Sequence, residues 1–282
     1  MRCDSHVHII GPIAQSPQVK TRTYLAPPAS LDQLARAAAP RDVTRFVIVQ
    51  PSFYGTDNTV LLESLDALGP RGRGVAVIDP AQTSKAMLED YAVRGVRGLR
   101  INLYSPGKAG EGQLAREFRA MANVAGTMGW HVEVIAPIAI LAEAATLLVR
   151  TDVTVVIDHY GVYGHSRPES AAGRVLLELL ELPHVWMKLS APYRVSDHPL
   201  ETRPDPAWLA AMLERARERC VWGSDWPHTP AHDAQQGPDV AGVYRPLSYA
   251  TLVDEFTGAL KSDELAEMIL VDNPARLYDF GD

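Results

Sequence analysis

The sequence has few cysteines, no long hydrophobic run and no excess of basic residues, and each absence excludes a class of protein. Its 282 residues include only Cys3 and Cys220, too few for a disulfide-stabilised scaffold, so both are expected to be reduced, buried thiols. No apolar run approaches the roughly 20 residues that a membrane-spanning helix needs. The first eight residues lack the apolar core of a secretory signal, which predicts a cytoplasmic location.

The net charge is −7, which argues against nucleic acid as a partner because phosphate backbones require a concentrated face of lysine and arginine. An anionic ligand must therefore be held by a few local arginines. The hydrophobic fraction of 46% is ordinary for a packed enzyme or binding protein, so disorder of the whole chain is not expected. Assembly into a homo-oligomer is left open.

Short β-rich segments alternate with longer segments of helical period. The predicted strands are Arg2–His8, Phe46–Gln50, Gly74–Asp79, Val96–Leu103, Trp130–Ala136, Val153–Asp158, Val185–Ser190 and Cys220–Asp225. The clearest predicted helix has an apolar stripe from Leu114 to Met128 at intervals of three and four residues, and ends at Gly129. Eight β-then-α units in a chain of this length predict a single-domain (β/α)8 barrel.

The alternative fold is a doubly wound open sheet, which usually has a glycine-rich fingerprint after its first strand. Here the first predicted strand ends in His6-Val7-His8 and no such fingerprint follows, so the barrel is favoured. The segments that follow the predicted strands are long and polar. In a barrel these segments meet at the carboxyl ends of the strands, where barrel enzymes carry their active sites.

Catalytic residue types occur at the predicted ends of three strands. His6 and His8 are two positions apart, so both imidazoles point to the same face of the first strand. His159 follows the sixth strand, and Asp225 ends the eighth, which neighbours the first in a closed barrel. Asp225 can therefore take a proton from water or bind a metal together with His6 and His8. His228 is a further candidate that orients its neighbours.

Two arginines are candidates for holding a carboxylate ligand. Strand alternation places Arg100 and Asn102 on one face of the fourth predicted strand, near its carboxyl end. Arg194 lies in the long segment after the seventh strand. A guanidinium fork matches the two oxygens of a carboxylate, so we predict that both arginines bind ligand.

Charged residues inside predicted strands indicate a structural pair below the active site. Asp4, Glu133 and Lys188 lie in the middle of strands one, five and seven, and odd-numbered strands share layers of a barrel interior. A buried lysine requires a carboxylate partner. Lys188 is therefore predicted to pair with Asp4 or Glu133.

A series of motifs runs in order from residue 3 to residue 278. The motifs are Cys3–His8, Val47–Gln50, Gly55–Asn58, Gly95–Asn102, Gly129–Val132, Val156–His159, Lys188–Ser190, Trp222–His228 and Val271–Tyr278. With them the chain resembles the amidohydrolase superfamily (amidohydrolase-2 type), in the branch of the 2-pyrone-4,6-dicarboxylate lactonases. The set is specific as a whole, whereas each motif alone is not.

The resemblance implies a hydrolase that opens a lactone of a small carboxylic acid, in the catabolism of aromatic compounds. Asp225 would be the general base that activates water. The residues that would line the lactone carbonyl and stabilise the oxyanion are His6, His8 and His159. The residues that would contact the rest of the substrate are Tyr24, Ser52, Arg100, Arg194 and His228.

The chain departs from this family pattern at two positions. The second arginine expected shortly after Arg100 is absent from Tyr104–Gly107, where only Lys108 is nearby, and the tyrosine expected on strand five is Ile135. Both changes weaken recognition of a planar pyrone dicarboxylate. A related muconolactone or sugar-acid lactone is therefore as compatible with the sequence as the pyrone.

The metal requirement depends on a ligand that this sequence lacks. Metal-dependent members of the superfamily supply a histidine at the end of strand five or a carboxylated lysine on strand four. Here strand four has Arg100 and strand five ends at Ala136, so we expect no required metal. If a divalent ion such as Zn²⁺ binds, its expected ligands are His6, His8 and Asp225.

Other activities compete with lactone hydrolysis. A metal-dependent decarboxylase of the same superfamily would need the missing strand-five ligand. A lactone isomerase would use Asp225 and a histidine as an acid–base pair. A barrel that binds an acid without catalysis is the least favoured, because Asp225 is accompanied by three histidines.

Overall fold

The computed structural model describes residues 1–104, 112–230 and 237–281. Its centre is an eight-stranded parallel sheet in which each strand pairs with the next one in sequence. The strands are β1 (Arg2–Val7), β2 (Val43–Val49), β3 (Gly72–Ala76), β4 (Val96–Asn102), β5 (His131–Ile135), β6 (Val155–Ile157), β7 (Val185–Ser190) and β8 (Cys220–Gly223). Each strand overlaps its predicted segment.

Close contact between β8 and β1 nearly completes the ring. The amide of Asp225 donates to the carbonyl of His6 at 2.9 Å, and the amide of His8 donates to the carbonyl of Trp226 at 2.8 Å. Gly223 permits this approach, because a Cβ atom there would lie 2.7 Å from the Cβ of His6 and 2.9 Å from its backbone nitrogen. The predicted (β/α)8 barrel is confirmed.

Helices pack outside the ring and alternate with the strands along the chain. They are α1 (Leu31–Ala38), α2 (Thr59–Leu68), α3 (Lys85–Val93), α4 (Gln113–Met128), α5 (Ile138–Glu143), α6 (Ala145–Val149), α7 (Ala171–Leu180), α8 (Pro206–Ala216), α9 (Tyr249–Leu260), α10 (Asp263–Glu267) and α11 (Asn273–Tyr278). Among the described residues, no helix has the length and apolar character required to cross a membrane.

The helix predicted by the Leu114 stripe is α4. Its residues Leu114, Phe118, Met121 and Ala125 are buried, and Gly129 ends it with a left-handed φ of 68°. A residue with a side chain is strained at such an angle, whereas glycine adopts it freely. The apolar core lies between the helices and the outer face of the sheet. This core holds the strands whose carboxyl ends position the candidate site.

Gly223→Ala is expected to destabilise the fold by about 1–3 kcal/mol, because the added methyl group overpacks the junction of β8 with β1. The measurement is the free energy of unfolding from equilibrium denaturation. A matched control is Gly258→Ala in α9, where nothing lies within 4 Å of an added Cβ. Alanine is also the better helix former, so the control should be neutral or stabilising. An unchanged unfolding free energy for Gly223→Ala would contradict the close approach.

Candidate active site

The four predicted catalytic side chains lie together at the carboxyl ends of β1, β6 and β8. The Nε2 atoms of His8 and His6 lie 3.3 Å and 3.7 Å from Oδ1 of Asp225. The rings of His6 and His159 are 4.7 Å apart between centroids. All four side chains are buried. Residues more than 200 positions apart in sequence thus meet in one pocket, as predicted.

The backbone adopts left-handed conformations where β6 and β8 end. The φ angles are 49° at His159, 58° at Asp225 and 66° at His228. Such angles are uncommon for residues other than glycine, and strained positions of this kind cluster at functional sites. The strain accompanies the sharp turns that follow the two strands.

Asp225 is the electrostatic centre of the pocket. Its Oδ2 accepts hydrogen bonds from Nε of Arg194 at 2.7 Å and from the hydroxyl of Tyr193 at 2.8 Å. Its Oδ1 has no hydrogen-bond partner among the described residues. Burial acts to raise the pKa of Asp225, but the charge of Arg194 beside it holds the pKa well below its ordinary value. Asp225 is therefore ionised at neutral pH.

Fixed partners orient the imidazoles around Asp225. Nδ1 of His8 lies 2.8 Å from the carbonyl of Val49. Because a carbonyl only accepts, Nδ1 carries a proton and Nε2 is left facing Asp225. Nδ1 of His159 lies 2.8 Å from the hydroxyl of Ser190. Burial lowers the pKa of His159 well below its ordinary value, so this ring is neutral.

A buried charged network lies beneath the pocket. Lys188 donates to Glu133, and its Nζ is 3.3 Å from Nδ1 of His6 and 3.6 Å from Oδ1 of Asp158. Lys188, Glu133 and Asp158 are inaccessible to solvent. The prediction that Lys188 pairs with Glu133 is confirmed, and the network connects this pair to His6.

The alternative pairing of Lys188 with Asp4 is wrong. Asp4 accepts hydrogen bonds from the amide of Ser224 and the hydroxyl of Tyr249, both at 2.9 Å. Its carboxylate therefore serves the junction of β8 with β1 and helix α9, where it satisfies backbone and phenol donors. Position in mid-strand did not distinguish this role from a place in the barrel interior.

Four predicted ligand-contacting residues line the cavity above Asp225. They are Tyr24, Ser52, Arg100 and Arg194. Arg100 donates from Nη1 to the carbonyl of Gln50 at 2.9 Å, and its Nε has no partner within the described part of the chain. Ile135 contributes an apolar wall to the same cavity. The nearby cation Lys108 lies outside the described residues.

His228 is not among the residues that line this cavity. Its Nδ1 lies 3.4 Å from the hydroxyl of Tyr193, and its side chain is buried. Burial lowers the pKa of His228 to about 4, so the ring is neutral. The position of His228 fits the orientation of Tyr193, whereas direct contact with a substrate stays a prediction.

The sequence interpretation missed two groups that hold Asp225 and Arg194 in place. Tyr193 binds Asp225, and the hydroxyl of Thr229 accepts a hydrogen bond from Nη2 of Arg194 at 2.7 Å. Tyr193 adjoins Arg194 and Thr229 adjoins His228, and this adjacency was the available signal. Isolated hydroxyl residues in long polar segments are too common to be selected without a structure.

The buried nitrogen and oxygen donors fit a divalent cation. Ligand atoms of His6, His8 and Asp225 all lie within 4.8 Å of one another. Nε2 of His6 and Oδ1 of Asp225 are buried and have no hydrogen-bond partner among the described residues. Nδ1 of His8 is held by a carbonyl, an arrangement that directs the other nitrogen toward a metal in many proteins. These three residues could therefore hold a metal ion.

The fold and the pocket define a (β/α)8-barrel protein with imidazoles from β1 and the β6 turn around a carboxylate that follows β8. The model of the family described as Amidohydrolase matches residues 3–280, and the chain belongs to this family. Its predicted superfamily membership is thereby confirmed.

Relatives with named activities cover nearly the whole chain. It is 31% identical to the 4-sulfomuconolactone hydrolase of Rhizobium radiobacter, over 98% of this chain and 89% of the relative. It is 29% identical to the 2-pyrone-4,6-dicarboxylate hydrolase of Comamonas testosteroni, over the same shares. It is 28% identical to the D-galactarolactone isomerase of Agrobacterium fabrum, over 84% of this chain and 76% of the relative.

Solved structures agree with the fold. A Pseudomonas putida protein proposed to be a 2-pyrone-4,6-dicarboxylic acid hydrolase is 27% identical, with a TM-score of 0.81 over 100% of this chain and 98% of the other. A Burkholderia multivorans amidohydrolase solved with bound zinc is 22% identical, with a TM-score of 0.72 over 100% of both chains. At that identity the second likeness shows the fold alone.

Proposed function

We propose that the protein hydrolyses a lactone of a small carboxylic acid. The observation that carries this proposal is the buried, ionised Asp225. Its Oδ1 has no hydrogen-bond partner in the described part of the chain and faces two imidazoles, in a cavity that also contains Arg100 and Arg194. A carboxylate base, neutral imidazoles and two guanidinium groups are the components that hydrolysis of an anionic lactone needs. The lactone hydrolases among the relatives support this proposal.

The reaction proceeds by addition of water to the lactone carbonyl. Asp225 takes a proton as the water oxygen bonds to the carbonyl carbon. The neutral His159, whose ring centroid lies 4.7 Å from that of His6, stabilises the tetrahedral oxyanion. The ring C–O bond then breaks, and the proton held by Asp225 passes to the ring oxygen. The product is the ring-opened acid, with one molecule of water added.

A bound divalent ion would be held by His6, His8 and Asp225. Such an ion polarises a carbonyl and lowers the pKa of a water molecule. The proposed reaction does not require a metal ion, because Asp225 and the imidazoles already supply a base and oxyanion donors.

The substrate class follows from the cavity wall. Arg100 and Arg194 can each bind a carboxylate, while Ile135 presents an apolar surface. We therefore propose a lactone with at least one carboxylate, either a muconolactone or sugar-acid lactone or the pyrone dicarboxylate. Hydrolysis of a muconolactone or of the pyrone dicarboxylate would place the enzyme in the catabolism of aromatic compounds. A cytoplasmic location and homo-oligomer formation stay predictions.

The test is a panel of lactones of mono-, di- and tricarboxylic acids, assayed with and without a chelator. We expect at least one to be opened, with a product heavier by one water. We expect turnover to survive chelator treatment, verified by metal analysis of the same sample. Absence of turnover across the panel would contradict the proposed function. Loss of turnover with chelator and its return with Zn²⁺ would instead assign the donors of His6, His8 and Asp225 to a required metal.

Lactone isomerisation is the second candidate, and the D-galactarolactone isomerase among the relatives favours it. Asp225 and a neighbouring histidine would then move a proton without addition of water. A product of unchanged mass identifies the isomerase, and release of CO₂ identifies a decarboxylase. A shift in the unfolding temperature with no chemical change identifies a barrel that only binds acids.

A further inference from the structure

Arg194 serves two parts of the pocket at once. Its Nε and Nη2 both lie 2.7 Å from Oδ2 of Asp225, and its side chain also lines the ligand cavity. The side chain of Arg194 is 6% exposed and that of Asp225 is fully buried, so solvent screens their ion pair little. Among the described residues, one of the two cations that line the ligand cavity is thus already bound to the proposed base.

This ion pair occupies one oxygen of Asp225. Oδ2 accepts hydrogen bonds from the guanidinium of Arg194 and from the phenol of Tyr193. A carboxylate oxygen that already faces two donors has fewer lone pairs to offer to a water molecule in the cavity. In this structure Oδ2 of Asp225 is therefore committed to Arg194 and Tyr193.

The guanidinium has an alternative partner when substrate binds. Arg194 also donates from Nη2 to the hydroxyl of Thr229, which anchors the side chain beside the cavity. Five N–H donors in a planar fork can bind a second carboxylate with the geometry now used for Asp225. A carboxylate that binds the Nε–Nη2 edge of the guanidinium therefore competes with Asp225 for the same donors.

We propose that a carboxylate of the substrate takes the Arg194 guanidinium from Asp225, and that this exchange releases Asp225 to act as the base. The substrate carboxylate is then an activator of catalysis as well as an anchor. The enzyme selects lactones that carry a carboxylate within reach of Arg194, and it selects them in kcat as well as in KM. This inference rests on the proposed function for its catalytic part, while the exchange itself is a property of binding.

The exchange is tested first by binding, with isophthalate as a carboxylate probe that cannot be hydrolysed. Coupling between two sites is reciprocal, so loss of the Asp225 carboxylate should tighten isophthalate binding to Arg194. We expect Asp225→Asn to lower the Kd about tenfold, within the ordinary range of coupling energies. Isothermal titration calorimetry gives the Kd of each variant.

A double-mutant cycle separates exchange from simple removal of negative charge. If Arg194 mediates the effect, Asp225→Asn tightens binding in the wild-type background and has no effect in an Arg194→Gln background. Equal tightening in both backgrounds overturns the proposal. The matched control is Arg203→Gln, because that arginine is exposed, pairs with Glu255 on the outer surface and should leave the coupling intact.

The catalytic part is tested with the wild-type enzyme alone. The best lactone of the panel is converted to its methyl ester, which cannot take Arg194, and sodium formate is added as a separate carboxylate. Release of a positioned base is expected to raise turnover of the ester at least about tenfold, a small part of the usual contribution of such a base. Inhibition or no change overturns activation by exchange. If no lactone is opened, the proposed function fails, and the binding cycle still decides the exchange.

Discussion

Replacing Asp225 by asparagine is expected to lower turnover at least about 100-fold, because a positioned general base contributes about 10²–10⁴ in rate. Asparagine keeps the size of the side chain, and its neutral amide oxygen can still accept a weaker hydrogen bond from Arg194 or Tyr193, so the pocket should stay assembled. It cannot take a proton from water. Turnover of the best lactone by the purified variant, at saturating substrate, is the measurement.

Asp254→Asn is the matched control for this substitution. Asp254 is exposed and pairs with Arg41 on the outer surface, so its loss of charge should leave turnover unchanged. The unfolding temperature of Asp225→Asn should confirm a folded protein. Turnover close to that of the wild type in a folded Asp225→Asn protein would exclude Asp225 as the base and transfer that role to one of the imidazoles.

Much of this site was accessible from the sequence because a closed barrel adds a strong geometric constraint. Once eight β–α units are accepted, the end of the eighth strand must neighbour the first. His6, His8 and Asp225 could therefore be placed in one pocket without coordinates. The alternation of side chains along β1 also indicated that both histidines face the same way.

The parts that were not predicted depend on local backbone geometry. Tyr193 and Arg194 reach Asp225 from a short 3₁₀ turn, Pro192–Arg194, which follows a left-handed Ala191 with φ of 52°. Neither turn nor angle is encoded by a simple periodic pattern. The ion pair between Arg194 and Asp225 was missed for this reason, although both residues had been selected separately as functional.

Sequence reasoning predicted one part of the network beneath the pocket and failed for another. The rule that odd-numbered strands share layers of a barrel interior correctly indicated that Lys188 and Glu133 lie together there. The same argument failed for Asp4, because the register between β1 and β2 is irregular on both sides of Asp4, before Cys3 and before Val7. An irregular strand does not keep simple alternation of side chains, and the sequence contains no separate signal for it.

Lys188→Met is expected to destabilise the protein by about 3–5 kcal/mol, the usual effect of breaking a buried ion pair by removing one partner. The methylene chain is retained in part, but Glu133 and Asp158 lose the ammonium that both of them face. Burial and the charge of Asp158 act to raise the pKa of Glu133. Lys188 is the strongest of the groups that oppose them, and together these groups hold the pKa below its ordinary value. The free energy of unfolding at neutral pH is the measurement.

The companion substitution Glu133→Gln tests whether the loss comes from the pair. In the double variant the side chain at position 133 is uncharged and needs no ammonium partner, so part of the lost stability should return. The double-mutant cycle should show a coupling energy of about 0.5–3 kcal/mol. The loss in substrate-binding free energy should be smaller than the loss in the free energy of unfolding, because Lys188 contacts His6 from below and does not line the cavity. A Lys188→Met protein with native stability and poor binding would contradict the structural role and assign Lys188 to the substrate site, through its contact with His6.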